Sequence, residues 1–294
     1  MKRSYIVAAV VLAAFAAVWH LWLGPRWTVR VPRDAVFASK YVGTDTNADP
    51  KTGLVPARDV LSTYDRTIRV VDATDWPRSV VVRDQYTTHS LQTGTIEFDY
   101  IVNERIDPHT GGWAEGPHKG DIVLFPRNTE KRTYNMRANY LGGIPVEFSG
   151  VDDIGGLEVY LFSYLGRLEL TAAYAGTPES PGVKVLPRQE IRCADDQFYF
   201  RVWVEPRTGS ELKVEEGCLS GDFIYDKATG ARLAAVDRWN GVTTGSSLAA
   251  RITEVHRARR TYMWASLYLP GLLLMASLCI LAFGRSPRDR VVIE

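Results

Sequence analysis

The sequence has few cysteines and histidines and no excess of charge of either sign. It contains 3 Cys and 5 His in 294 residues, and 35 Lys and Arg stand against 34 Asp and Glu, which leaves a formal net charge of +1. So few cysteines exclude a disulfide-dense miniprotein. The balanced charge excludes the strongly basic surface on which nucleic-acid-binding proteins rely, so we expect no nucleic acid partner.

Motifs for catalysis and cofactor binding are also missing. The sequence has no Gly-x-Ser-x-Gly elbow, no Walker phosphate loop, no dinucleotide-binding glycine pattern and no His-Glu-x-x-His pair. No nucleophile stands in a recognisable pattern with a base. We therefore expect a protein that is not an enzyme and that binds no cofactor.

Two kinds of polar cluster could bind a metal ion. His109 and His118 flank a Gly-rich loop, but their spacing matches no compact zinc pattern. The acidic pairs at 152–153 and 195–196 offer the oxygen ligands that calcium prefers. Adjacent acids are more typical of exposed turns, so we predict no metal site.

Two uncharged apolar runs, 6–23 and 263–283, lie near the ends of the chain. At about 1.5 Å per residue, each is long enough for a transmembrane helix across a bilayer core of roughly 30 Å. Aromatic residues typical of a membrane interface lie at the outer end of the first run and at the start of the second, namely Trp19, Trp22, Trp27, Tyr262 and Trp264. A signal peptide cleaved after Ala16 remains the alternative for the first run.

Two spans place both termini on the same side of the membrane. We expect cytoplasmic ends at 1–5 and 284–294, an extracytoplasmic β-rich domain at 24–246, and a pre-membrane helix at 247–262. Long domains are translocated largely regardless of their charge. The prediction is therefore a two-pass membrane protein whose central domain is periplasmic or extracellular.

The central domain contains two cysteines, Cys193 and Cys218. A lone pair suits an oxidising compartment, and the two positions lie a few residues out of register in a hairpin centred near residues 206–209. We predict a disulfide, which would stabilise the domain by roughly 3 kcal/mol. The alternative is two separate buried thiols.

Four segments share an acidic residue followed by Thr-Gly. The carboxylate can accept hydrogen bonds from backbone amides ahead of it, and glycine adopts the positive φ that closes a bulged hairpin. Each segment therefore predicts a hairpin turn, at Asp49 to Gly53, Asp107 to Gly111, Glu205 to Gly209 and Asp226 to Gly230.

Alternating apolar residues predict strands around these turns. The fold class is mainly β, a hairpin-rich antiparallel sheet that could curl into an open half-barrel, flanked by N- and C-terminal transmembrane α-helices. The candidate strands are 67–71, 79–83, 96–106, 120–125, 146–151, 157–164, 198–204, 211–215, 223–225 and 232–236.

One stretch has helical periodicity. Leu248, Ile252 and Val255 recur on one face, and a continuous helix is expected from residue 247 into the second apolar run. Its arginines are expected to reach lipid headgroups rather than to bind a specific anion; they are Arg257, Arg259 and Arg260.

Three stretches carry a family resemblance: 125–134 (FPRNTEKRTY), 156–162 (GLEVYLF) and 202–209 (VWVEPRTG). They resemble the porin PorA-like family of uncharacterised bacterial, mostly actinobacterial, membrane proteins, which have two terminal helices around one extracytoplasmic domain. The resemblance implies a location in the bacterial cell membrane. It implies no catalytic residues.

The sequence favours a non-enzymatic envelope protein whose β domain binds or scaffolds partners, for example as an accessory subunit of a larger membrane complex. Expected partners are the lipid bilayer and a membrane protein or a second copy of the chain. The alternative is a module that binds lipid or a small hydrophobic molecule along a half-barrel. The aromatic residues that could line it are Tyr100, Trp113, Tyr160, Phe162, Tyr164, Phe198, Phe200 and Trp203.

Overall fold

A computed structural model describes most of the chain. The described residues are 3–23, 30–46, 60–91, 94, 96–137, 143–166, 187–192, 197–218, 222–236 and 238–283. They form two compact units, one of Arg30–Val255 and one that combines Met1–Val29 with His256–Glu294.

The described residues of the terminal unit are helical, and the helix that enters this unit at His256 begins in the central unit. Helix α1 (Arg3–Val18) ends in a π-helical turn (Trp19–Leu23). Helix α2 (Gly245–Met263) continues through a second π-helical turn (Trp264–Tyr268) into helix α3 (Leu269–Phe283). The chain is thus helical from Gly245 to Phe283, as the periodicity predicts.

Both helical segments are long and apolar enough to cross a membrane. Helices α1 and α3 pack through small residues, because Ala9 and Ala16 are buried and the Ser277 hydroxyl donates a 2.8 Å hydrogen bond to the Ala9 carbonyl oxygen. Large apolar side chains remain exposed on both, for example Val7 at 61% and Leu272 at 58%. That exposure is unfavourable in water and suits a lipid environment.

The central unit contains thirteen described strands in two antiparallel sheets. A ten-stranded sheet has the order β4-β3-β2-β1-β13-β10-β9-β7-β6-β5, and a three-stranded sheet has the order β12-β11-β8. The strands are β1 (Val36–Thr46), β2 (Val60–Asp72), β3 (Val80–Ser90), β4 (Ile96–Ile106), β5 (Tyr134–Met136), β6 (Ile144–Ile154), β7 (Leu157–Gly166), β8 (Gln189–Arg192), β9 (Phe198–Glu205), β10 (Ser210–Cys218), β11 (Asp222–Asp226), β12 (Arg232–Val236) and β13 (Arg238–Thr243).

The ten-stranded sheet is curled. Tyr86 of β3 and Tyr134 of β5 belong to one hydrophobic cluster, although their strands lie near opposite edges of the sheet. Among the described residues, the edge strands β4 and β5 do not pair with each other, so strand pairing does not close a barrel.

Two short extended segments join the edges of this sheet at one end. The first segment contains Trp113, which bridges Ile106 of β4. The second contains Ile122, which bridges both Gly112 of the first segment and Met136 of β5. The curled sheet is therefore fastened at one end by isolated bridges.

The concave face holds two clusters, one mostly aromatic and one mostly aliphatic. The aromatic cluster includes Tyr41, Tyr64, Phe162 and Phe198, and the aliphatic cluster includes Ile68, Val80, Val82 and Ile106. On the other face of the sheet, helix α2 packs on Leu157, Val159, Trp203 and Leu212 through Leu248, Ile252 and Val255. The three helix residues are those that the helical spacing selects.

The prediction of a mainly β antiparallel fold with two terminal helices is confirmed. One strand prediction is wrong: 120–125 forms no strand and contributes only the isolated bridge at Ile122. Its residues 122–125 are all buried, because this loop fills space inside the curled sheet rather than alternating between two faces. Strands β1, β5, β8 and β13 were not among the predicted strands.

Candidate functional site

The stretch 125–134 forms a loop that docks on the turn between β9 and β10. The Thr129 amide donates to the Pro206 carbonyl oxygen at 2.7 Å, and the Asn128 amide donates to the Arg207 carbonyl oxygen at 3.3 Å. The Thr129 hydroxyl also donates to the carbonyl oxygen of Pro126 within the loop, at 2.7 Å. Two of the three stretches that carry the family resemblance therefore bind each other.

The turn is built around a buried carboxylate. Glu205 accepts hydrogen bonds from the Thr208 amide at 2.8 Å and from the Thr208 hydroxyl at 2.7 Å. Gly209 follows with a φ of 70°. A Cβ at Gly209 would collide with the carbonyl oxygens of Phe125 and Pro126. Glycine is therefore required both by the backbone conformation and by the docked loop.

Arg30 forms hydrogen bonds with both the docked loop and the β9–β10 turn. Its Nε donates to the Phe125 carbonyl oxygen at 2.9 Å, and its Nη2 donates to the Gly209 carbonyl oxygen at 3.0 Å. The pKa of Arg30 is lowered to about 10, mainly by burial and in part by the positive charges of Arg127 and Arg251, while the Glu211 carboxylate opposes the shift. A buried cation thus links the loop to the turn.

A second group of charges lies on the concave face of β2, β3 and β4. Arg66 of β2 binds Asp84 of β3 through two nitrogens, with Nε to Oδ1 at 3.2 Å and Nη2 to Oδ2 at 2.8 Å. Both residues are buried. Burial alone would lower the pKa of Arg66, but the Asp84 carboxylate outweighs it and raises that pKa well above its usual range.

Glu104 of β4 is the third member of this group. It is 4% exposed, and its Oε2 has no hydrogen-bond partner in the part of the chain that the structure describes. Burial and, to a smaller extent, the Asp84 carboxylate raise the pKa of Glu104 to about 8, against the opposing charges of Arg66 and Arg137. Glu104 is therefore mostly protonated at neutral pH.

These charges run diagonally across the sheet. Asp84 lies opposite Ile68, two residues from Arg66, and Glu104 lies opposite Val82, two residues from Asp84. Diagonal neighbours lie within reach of long side chains. We call Arg66, Asp84 and Glu104 the charge diagonal; it separates the aromatic cluster from the aliphatic cluster.

A small cavity adjoins the charge diagonal. The neighbouring cavity, which Arg30, Tyr41, Arg66, Glu211 and Arg251 help to line, has a volume of about 20 Å³. This is room for about one water molecule. Arg66 also lines a second, more open cavity of about 290 Å³, together with Asp65, Thr67 and Ser247.

The predicted turn residues can now be placed. Asp226 accepts from the amides of Ala228 and Thr229 at 2.9 and 2.8 Å, and Gly230 adopts a φ of 67°. These hydrogen bonds lower the pKa of Asp226. Asp107 accepts from the His109 amide at 2.7 Å, and Gly111 has a φ of 76°. Asp49 and Gly53 lie outside the described residues.

The candidate metal ligands are not brought together. No group of three or more His, Cys, Asp or Glu is placed to hold a metal ion among the described residues. His118 Nδ1 lies 3.8 Å from an Asp121 carboxylate oxygen. Asp152 accepts from the Trp203 indole at 3.3 Å, and Asp153 accepts from the Gly156 amide at 3.1 Å within a turn. The pair at 195–196 lies outside the described residues.

The disulfide stays a prediction. Cys193 lies outside the described residues, and Cys218 is the last residue of β10, opposite Phe198. The observed register of this hairpin, with Ser210 opposite Glu205, agrees with the predicted centre of the turn. Cys279 is an exposed free cysteine in α3.

The predicted interface residues include one that ties the two helical segments together. The Trp19 indole donates a 2.8 Å hydrogen bond to the Ala265 carbonyl oxygen, and His20 Nδ1 lies 3.1 Å from the Ser266 carbonyl oxygen. Trp22 lies in the first π-helical turn, and Trp27 lies outside the described residues. Tyr262 lies in α2, together with Arg257, Arg259 and Arg260.

Pro270 explains why those two carbonyls are free to accept. Proline has no amide hydrogen, so it cannot pair with the carbonyl of Ser266 four residues earlier. The Leu269 amide pairs instead with Trp264, five residues back, which leaves the Ala265 carbonyl without it. A proline within a helix is a local signal of a disturbed hydrogen-bond pattern, but the contacts of Trp19 and His20 depend on tertiary structure.

Most of the aromatic residues proposed to line a half-barrel pack in the aromatic cluster, whereas Trp113 packs against the aliphatic cluster. Phe162 and Phe198 are fully buried, and the Phe162 ring lies 4.9 Å from that of Phe125. Trp203 faces the other side of the sheet and packs with α2. The side chain of Tyr100 lies outside the described part. In the part of the chain that the structure describes, most of these rings therefore form a packed core.

Sequence reasoning missed the charge diagonal and Arg30. A signal for Arg66 was present, because it shares the phase of Tyr64 and Ile68 along β2. Asp84 likewise shares the phase of Val82 and Tyr86 along β3, where burial alternates without interruption. A charged residue in phase with buried neighbours points into the core.

The comparison with known proteins gives one family. The family model for Porin PorA matches residues 4–285. No curated protein matches the chain.

Proposed function

The chain belongs to the Porin PorA family, and from this membership we propose that it is an envelope membrane protein whose central curled sheet docks other membrane components on its outer surface. The two terminal helical segments anchor it. The central sheet lies outside the cytoplasm. Its partner is either a larger membrane complex, in which this chain is an accessory subunit, or a second copy.

One observation carries the proposal: the interior of the central unit is occupied by its own side chains. Aromatic and aliphatic clusters fill the concave face, and the cavity beside them holds about one water molecule. Binding by the described part of this unit therefore uses its exposed surfaces.

The family name suggests a pore, and the packing of the two helical segments shows what such a pore would require. The two helical segments of a single chain leave no aqueous channel between small residues that pack directly, such as Ala9 and Ser277. A pore would need several copies, so self-association belongs to the same proposal and is separated from other partners by experiment.

Photo-crosslinking in cells tests the docking proposal. The crosslinking residue benzoylphenylalanine would replace exposed apolar side chains of the sheet, at Ile101, Val151 or Leu165, and the buried Val159 would serve as the control. We expect a discrete light-dependent product from at least one exposed position and none from Val159. A product of twice the chain mass identifies a second copy, and any other product identifies a partner. Absence of products at all three positions would contradict docking.

Protease treatment of spheroplasts tests the topology. In a chain with green fluorescent protein at its C-terminus, external trypsin should degrade the central domain and leave the fluorescent tail intact. Protection of the central domain until the membrane is permeabilised would refute its extracytoplasmic location.

A further inference from the structure

A line of basic and aromatic side chains runs along one face of the second helical segment. Arg257, Arg260, Trp264 and Tyr268 follow one another at spacings of three or four residues and are all exposed. The rings of Trp264 and Tyr268 meet edge to face with centroids 5.3 Å apart. We call these four residues the Arg–Trp stripe. Spacings of three and four residues place side chains on one helix face.

The stripe faces away from α1. In the π-helical turn, the neighbouring carbonyls of Ala265 and Ser266 are occupied by Trp19 and His20 of the first helical segment. Trp264, by contrast, is 54% exposed. The turn thus presents its small residues to the first helical segment and its large aromatic side chains to the surroundings.

The stripe carries positive charge without local compensation. Among the described residues, neither Arg257 nor Arg260 takes part in an ion pair. Glu254 is the last acidic residue before the apolar run, and the next one in the sequence is Asp289. An exposed pair of guanidinium groups without a counter-charge can bind an anion.

The position of the Arg–Trp stripe along the helix indicates which anion the two arginines bind. Arg260 precedes Trp264 by roughly 6 Å of helix rise, which matches the thickness of the headgroup layer on one side of a bilayer, about 5 to 8 Å. When Trp264 and Tyr268 lie at the inner boundary of that layer, Arg260 reaches lipid phosphate. A zwitterionic headgroup would bring its own cation against the second arginine, whereas an anionic headgroup would not.

We propose that the Arg–Trp stripe is a binding site for an anionic phospholipid headgroup, with Arg257 and Arg260 holding the phosphate and Trp264 and Tyr268 packing on the glycerol region. The inference rests on the membrane insertion of α3 that the proposed function assumes. It goes beyond that function because it assigns a lipid class to a defined surface.

Native mass spectrometry of the full-length protein tests this site. The delipidated protein would be titrated with phosphatidylglycerol and with phosphatidylcholine of identical acyl chains. We expect a preference for phosphatidylglycerol on the order of tenfold, because basic side chains near the membrane surface attract anionic headgroups. The double variant Arg257→Gln/Arg260→Gln should lose this preference.

A charge-matched control distinguishes the effect of the Arg–Trp stripe on lipid preference from the effect of the total charge. The variant Arg69→Gln/Arg78→Gln removes two exposed arginines of the central unit and should keep the preference. Retention of the preference by the stripe variant, or equal loss in the control, would overturn the proposal. Release of the wild-type chain from membranes by alkaline carbonate would instead contradict the membrane anchoring itself.

Discussion

Replacing Glu104 with glutamine should stabilise the protein at alkaline pH. The folded state holds the pKa of Glu104 at about 8, against an ordinary value of 4.5. Between these two values the folded chain binds more protons than the unfolded chain, so the wild type loses stability as the pH rises through this window. The glutamine amide cannot ionise, and the Glu104→Gln variant should not show this loss.

The size of the effect follows from the two pKa values. Relative to low pH, the raised pKa of Glu104 lowers the free energy of unfolding of the wild type by about 1 kcal/mol at pH 5 and by about 4 kcal/mol at pH 8. For a domain of this size, roughly 2–4 °C in Tm accompanies each kcal/mol. The Tm of Glu104→Gln should therefore gain roughly 6–12 °C on that of the wild type between pH 5 and pH 8.

Thermal unfolding of the full-length protein in detergent, followed by tryptophan fluorescence from pH 5 to pH 8, measures this gap. The groups that face Glu104 are Asp84, Arg66 and Arg137, and all three remain in the variant. Glu158→Gln removes an exposed carboxyl group of β7 and should change stability by less than about 0.5 kcal/mol. Parallel Tm curves for the wild type and Glu104→Gln would refute the burial argument.

Three further predictions concern the turn, the helix contact and the cysteines. Gly209→Ala should destabilise the central unit by roughly 2 kcal/mol more than Gly230→Ala, as measured by thermal unfolding, because both positions have φ near 70° but only Gly209 meets carbonyl oxygens; equal losses would contradict the docking of the loop. Pro270→Ala should restore the helical amide and weaken the contacts of Trp19 with Ala265, seen as a changed indole fluorescence maximum; an unchanged spectrum would count against the role of proline. A non-reducing peptide map should recover Cys193 linked to Cys218, and alkylation of both thiols without reductant would exclude the bridge.

Most strands of the sheet could be predicted from local sequence patterns. Strands β9 and β10 could be predicted because alternation and the turn at Glu205 to Gly209 are properties of adjacent residues. Strand β1 was missed because two of its inward positions are Ser39 and Gly43, which break the apolar phase. Ser39 is polar there because Arg251 donates to its hydroxyl at 3.1 Å. The polar residue at this position is thus explained by a contact with a helix that is distant in the sequence, and a local sequence pattern cannot show such a contact.

The charge diagonal could be predicted only in part. The phase of Arg66 along β2 places it inside, but its partner Asp84 depends on the register between two strands. The loop 120–125 was wrongly predicted as a strand, since a short apolar run does not distinguish a strand from a buried loop. The docking of 125–134 on the β9–β10 turn required tertiary structure, because the two segments are far apart in the sequence.

The central position of β1 in the sheet has a consequence for biosynthesis. Tyr41 of β1 lies opposite Thr243 of β13, so the first strand to leave the ribosome completes its pairing with the last. Until then the meander of β1 to β4 presents an unpaired edge, the kind of surface on which nascent chains aggregate. Closing such distant contacts is slow compared with forming hairpins. The edge of β1 therefore stays without its partner until residues 238–243 are available to pair.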